Sequence, residues 1–171
     1  MNVTDIIHEA LAQHRTRFAF ELLPPLKGDG TGGVFGAIDP LMEFDPAYIN
    51  ITFHREGIKQ TQRPDGSIEW HVVRRRPGTV GISAAIRKRY GVEVVPHLIC
   101  GGLSRYDIED ALIDMDFLGL HNVLALRGDL PKEGEPCHDF AYAAELIDFI
   151  HQQGDFCVGA ACYPEGHPES C

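Results

Sequence analysis

Five short, almost wholly apolar runs alternate with segments of helical periodicity, and this alternation leaves few folds open. Residues 17–23, 48–52, 92–99, 121–126 and 156–162 read as strands without a regular polar face. Strands of that kind are buried on both sides, which argues for a parallel sheet covered on both faces, either doubly wound or a βα-barrel. A dinucleotide-binding glycine turn would favour the doubly wound form. Glycines 28, 30, 32 and 33 instead follow Pro24-Pro25, outside the strand-turn-helix context such a turn needs. The remaining architecture is the (β/α)8 barrel, whose active site gathers at the C-terminal strand ends.

The intervening helices carry recognisable signals. Ile6, Ile7, Ala10 and Leu11 repeat at helical spacing, as do Val34, Phe35, Ile38 and Leu41, where Pro40 kinks or ends the helix. Ile82, Ala85 and Ile86 line a helix over 80–90. Ser104 caps the next one, with Asp107 completing an approximate capping box and Gly119 ending it. Asp139 is read as the cap of a last helix bearing Phe140, Ala143, Ala144, Ile147 and Ile150. Pro96 inside the third strand requires local relief. After the second strand, Arg63-Pro64-Asp65-Gly66-Ser67 between two β-prone runs predicts a hairpin insertion over 57–76 within a single domain spanning 1–171. The sole tryptophan, Trp70, lies on it and either pins the hairpin to the body or borders a ligand site.

Charge excludes some partners. Fifteen basic and twenty-five acidic residues give a net charge of -10, and residues 103–171 carry three basic against fourteen acidic side chains. Such a surface repels phosphate backbones and anionic membranes, so neither nucleic acid nor membrane is expected as a partner. No apolar run approaches the roughly 18 residues of a membrane span, and Met1-Asn2-Val3-Thr4-Asp5 lacks a signal-peptide pattern, so a cytoplasmic location is expected. The five cysteines are odd in number and irregularly spaced, as reduced thiols are.

The strand ends offer Glu21; Thr52 with His54; His97; Arg127-Gly128-Asp129; and Tyr163 through His167. In a parallel barrel these five segments surround one mouth. Glu21, between Phe20 and Leu22, is expected to be partly desolvated and to act as a general acid, whereas Asp129 in a polar loop stays ionised.

Phe18-Ala19-Phe20-Glu21-Leu22-Leu23-Pro24-Pro25, Pro96-His97-Leu98, Ala125-Leu126-Arg127-Gly128-Asp129-Leu130-Pro131 and Ala160-Ala161-Cys162-Tyr163-Pro164-Glu165-Gly166-His167-Pro168 together resemble the methylenetetrahydrofolate reductase family, in the family's order. The resemblance implies an FAD-containing βα-barrel. It would reduce 5,10-methylenetetrahydrofolate to 5-methyltetrahydrofolate with electrons from NAD(P)H, by ping-pong transfer through the flavin. It assigns Glu21 to protonation of the folate and Asp129 to electrostatic stabilisation beside flavin and pterin. It places Thr52, His97, Arg127, Gly128, Asp129, Tyr142, Ala143, Tyr163 and His167 along the FAD, and it allows a homo-oligomer. Departures from the family pattern are Phe53-His54-Arg55 after the threonine, the hairpin, and a length of 171 residues where a complete barrel needs roughly 250. The chain therefore reads as a barrel truncated after about five βα units.

Two other readings use the same residues. One is a truncated, non-catalytic member of that family, unable to hold FAD. The other is a metal-dependent hydrolase built on His97, Cys100, Cys162 and His167, whose spacing matches no recognised zinc site; no metal is assigned.

Overall fold

The computed structural model describes residues 1–54, 57–73, 75–128 and 139–167. In chain order its elements are α1 (Val3–Ala12), β1 (Ala19–Leu22), α2 (Gly32–Ile38), β2 (Tyr48–Ile51), β3 (Gly57–Gln62), β4 (Ile68–Val73), α3 (Thr79–Tyr90), β5 (Glu93–Ile99), α4 (Arg105–Phe117), β6 (Asn122–Leu126), α5 (Ala143–Gln153) and β7 (Cys157–Ala160). Five strands form one parallel sheet in the order β1-β2-β5-β6-β7. Each strand lies beside the next of the five in sequence, without the reversal of order at which a doubly wound sheet opens its ligand crevice.

Alternation along the strands separates two faces. Ile49, Ile51, Val94, Leu98, Val123 and Ala125 share a core with Ile38 of α2, Ile86 of α3, Ile108 and Leu112 of α4, and Leu146 and Ile150 of α5. Helices α2–α5 thus cover a single face, which corrects the expectation of cover on both. The other face carries Glu21, Asn50, Val95, His97 and Leu124, where apolar and polar residues mix. Helix α1 lies across the N-terminal end of this second face. The Val3 amide donates to Asn122 Oδ1 at 2.8 Å, the Met1 ammonium pairs with Glu93 at 2.8 Å, and Thr4 Oγ1 lies 3.8 Å from Cys157 Sγ. Glu93, Asn122 and Cys157 are the first residues of β5, β6 and β7, so one helix ties three strands together at that end.

Local rules account for the element boundaries. Pro40 has no amide hydrogen to donate, so α2 stops at Ile38 and the chain continues as a 3₁₀ turn over Asp39–Phe44. Pro96 sits where the ladder changes neighbours: β5 is registered with β2 up to Pro96 and with β6 from His97 onward. Ser104 caps α4, its hydroxyl accepting from the Asp107 amide at 3.1 Å while Asp107 Oδ2 accepts from the Ser104 amide at 2.9 Å.

The cap assigned to α5 is different. That helix starts at Ala143 with Tyr142 before it, and Glu145 reaches back to accept from the Ala141 amide at 2.7 Å. Asp139 accepts instead from the Arg105 amide at 2.8 Å and so anchors the start of α4. Phe140 is buried outside the helix, edge-on to Phe149 at 5.5 Å.

Strands β3 and β4 pair antiparallel around a turn in which Asp65 Oδ1 accepts from the Ser67 amide at 2.9 Å and Gly66 has φ of 86°. Hydrogen bonds from Ser67 hold the Asp65 carboxyl below the usual carboxylate range. Trp70 is 50% exposed, so the hairpin's attachment comes mainly from its base. There the Lys27 amide donates to the Arg75 carbonyl at 2.8 Å, and Arg76 donates to the Pro24 carbonyl.

Candidate functional site

The second sheet face places its polar groups in tiers. Glu21, Asn50 and Val95 stand opposite one another across β1, β2 and β5. Two residues further along, about 7 Å at the usual strand rise, His97 stands opposite Leu124, and Leu124 opposite Gly159. Thr52 follows Ile51 as His97 follows Pro96, which makes the two neighbours on adjacent strands. Arg127 and Gly128 lie beyond the end of β6. The lower tiers sit on rigid strand and the upper one on connecting segments.

Glu21 is exposed, against the expectation of desolvation. Period-two geometry gives the reason: Phe20 and Leu22 point to the opposite face, where Phe20 meets Phe44 at 6.2 Å and Leu22 packs on the core. The apolar neighbours in sequence are not neighbours in space.

His97 is the most sheltered polar side chain of the site, at 5% exposure. Its Nε2 has no hydrogen-bond partner among the described residues. Burial holds its pKa below the ordinary imidazole value, opposed in part by the charge of Glu21. A buried ring nitrogen without a partner is costly, by about 1–3 kcal/mol, and such groups mark places where a ligand completes the structure.

Thr52 has local partners. Its amide and hydroxyl both donate to the Leu22 carbonyl, at 3.1 and 3.2 Å, and His54 Nε2 lies 3.1 Å from the hydroxyl. This joins the ends of β1 and β2. Arg127 is half-buried, and its carbonyl accepts from the Gly101 amide at 2.8 Å. Gly128 has φ of 72°, and a Cβ there would come within 3.1 Å of Ile99. The glycine is therefore required by the chain's own packing, whatever approaches it from outside.

Tyr142, 61% exposed, precedes α5, and the half-buried Ala143 opens it. Both follow β6 in the chain. Tyr163 and His167, beyond β7, meet edge-on at 4.7 Å. The structure thus joins Glu21, Thr52 and His97 on three adjacent strands and pairs Tyr163 with His167. Asp129 lies outside the described residues. No group of three His, Cys, Asp or Glu side chains among the described residues could hold a metal, so the set His97, Cys100, Cys162 and His167 is not assembled into one. Cys100, Cys157 and Cys162 form no disulfide. Also among the described residues, no helix is long and apolar enough to cross a membrane.

Asn50, half-buried between Glu21 and Val95, was not singled out in the sequence. The signal was present: in Tyr48-Ile49-Asn50-Ile51-Thr52 the alternation puts Asn50 on the face of Thr52.

The fit of a flavin rests on these residues. The unpartnered Nε2 of His97 offers a sheltered hydrogen-bonding position on the site face, and the half-buried Arg127, just beyond β6, is of the residue type that binds anionic groups. The residues present fit such a group.

Comparison with known proteins identifies the family. A family model described as Methylenetetrahydrofolate reductase matches residues 6–171. A 5,10-methylenetetrahydrofolate reductase of Pectobacterium carotovorum subsp. carotovorum is 32% identical over 171 residues, covering 99% of this chain and 51% of the relative. The corresponding protein of Escherichia coli (strain K12) is 28% identical over 169 residues, covering 97% and 51%. Methylenetetrahydrofolate reductase (NADH) 1 of Arabidopsis thaliana is 32% identical over 175 residues, covering 99% and 27%. The chain spans about half the length of the bacterial relatives and about a quarter of the plant one. With the match running through every strand that carries the site, this chain belongs to the methylenetetrahydrofolate reductase family.

Proposed function

We propose that the chain supplies the first five strands of a (β/α)8-type barrel that binds FAD and reduces 5,10-methylenetetrahydrofolate to 5-methyltetrahydrofolate with NAD(P)H. The observation that carries the reading is the sheltered, unpartnered Nε2 of His97 on the same sheet face as Glu21 and Thr52. Names of relatives add the nucleotide: the Arabidopsis thaliana protein is a methylenetetrahydrofolate reductase (NADH).

His97, Arg127, Tyr163 and His167 would hold the flavin, with Thr52, Gly128, Tyr142 and Ala143 shaping its surroundings. When bound, the flavin supplies hydride acceptance from the nicotinamide and hydride donation to the folate. The protein's share is binding, orientation and proton handling. The Glu21 carboxyl holds the proton that the folate nitrogen takes up as its five-membered ring opens. Glu21 is exposed in this structure, on the face that the pterin and flavin would cover. His97, held neutral by burial, serves as a hydrogen-bonding group without adding a cation. Asp129, by its match to the family's aspartate, provides fixed negative charge beside the cationic folate.

The test is an absorption spectrum of the purified chain after addition of FAD and removal of the excess by gel filtration. Retained absorbance near about 450 nm is the expected result. Absence of retained flavin would assign the chain to the non-catalytic reading, in which it keeps the family's residues without the family's activity.

A further inference from the structure

A cavity of about 680 Å3 lies between α2 and α3, and nothing in the flavin reading uses it. It is on the helix-covered side of the sheet, since Val34 and Ile82, which line it, belong to the core on that side. Glu21 and His97 occupy the opposite face. The volume falls within the roughly 300–1,000 Å3 of sites that hold small organic ligands.

The lining is chiefly apolar, with Phe35, Ile82 and Ala85 facing the loop that follows Pro25. Among the described residues, Lys27 and Arg76 are the only charged ones in its lining, and neither has a carboxylate partner. Arg76 spends one guanidinium N–H on the Pro24 carbonyl; a guanidinium has five. The nearby Asp29 carboxylate is turned into its own loop, accepting from the Leu26 amide at 3.1 Å. The segments that carry the two cations are joined, the Lys27 amide donating to the Arg75 carbonyl at 2.8 Å. Gly28 and Gly30, with φ of 104° and 64°, let the backbone turn there.

Among the described residues the chamber is apolar with two cations and no anion in its lining, which is complementary to one kind of ligand: an apolar body ending in a negative group. A planar carboxylate matches the free edge of a guanidinium best. We propose that this cavity is a binding site for a small amphipathic carboxylate, with its aromatic or aliphatic body between α2 and α3 and its head group between Lys27 and Arg76. The chamber lies on the helix-covered side of the sheet, opposite the face that carries Glu21 and His97, and the proposal stands whether or not the chain binds flavin. Because its rim includes the base of the β3–β4 hairpin, occupancy ties that base to the β1 loop.

The experiment uses the full chain, 15N-labelled, with 2-naphthoate as the probe followed through amide shifts. Saturable shifts confined to the amides around Lys27–Thr31 and Gly81–Ala85 are expected. Acetate, which has the head alone, and 2-naphthalenemethanol, which has an uncharged head, should each bind at least about tenfold more weakly. Lys27→Gln, at an exposed position, should weaken 2-naphthoate by about the same factor while leaving the dispersed spectrum unchanged. Ala85→Phe, which fills the chamber, should abolish binding. Absence of saturable shifts, shifts scattered over the surface, equal affinity for the uncharged analogue, or binding indifferent to both substitutions would overturn the proposal.

Discussion

His97 concentrates the tension between folding and function at the scale of single residues. Its ring is buried and neutral with no partner for Nε2 among the described residues, so it costs stability when the chain must protonate it. The folded pKa lies below the unfolded one, and the unfolded chain therefore binds the proton first as pH falls. Stability is fully present above about pH 6.5 and declines below it. Urea unfolding at about pH 7.5 and about pH 5 should show a larger loss for the native chain than for His97→Gln, and equal losses would remove His97 as the cause. Glu21 is tested differently. Glu21→Gln should retain flavin but lose folate reduction by at least about a hundredfold, the lower range for general acid catalysis; undiminished turnover would sink the proton-donor role. Both residues were visible in the sequence as strand-end candidates. Their environments were not, because the sequence neighbours of Glu21, Phe20 and Leu22, are sent by a strand to the other face and say nothing of what surrounds the carboxyl.

Among the elements, α4 was the most legible, because its signals are local. Ser104 and Asp107 are three residues apart and bond each other's backbone as their types predict. Ser104→Ala should cost about 1 kcal/mol in chemical denaturation, and no measurable cost would mean that the Asp139 bond to Arg105 alone secures this helix start. Asp139 also shows the limit of such reading: an aspartate followed by an apolar helix stripe has the pattern of a cap, yet its carboxylate is taken by a helix 34 residues earlier in the chain. Nothing within a few residues of Asp139 announces Arg105. Pro96 has a similar explanation, since a proline in a central strand is tolerated where registered pairing passes from β2 to β6, and that transition is a property of three strands together.

For the molecule as a whole, ligand binding and stability are linked: a group that binds only the folded chain stabilises it by mass action. If the chain holds FAD, a hundredfold excess over its dissociation constant adds about 2.7 kcal/mol. The unfolding midpoint should then rise by several degrees, roughly 2–4 °C per kcal/mol for a chain of this size, whereas an unchanged midpoint in saturating FAD would count against the flavin reading. The sequence by itself determined the alternation of strands and helices, the turn at Pro64-Asp65-Gly66, the cap of α4 and the family blocks. All of these are carried by spacing within a few residues or by short contiguous motifs. Only the tertiary structure decided that α2–α5 share one face, that α1 spans the feet of β5, β6 and β7, that Glu21 is open while His97 is closed, and that Lys27 and Arg76 line one cavity. Those facts depend on register and packing between residues tens of positions apart, and local periodicity carries no information about which distant side chain will arrive alongside.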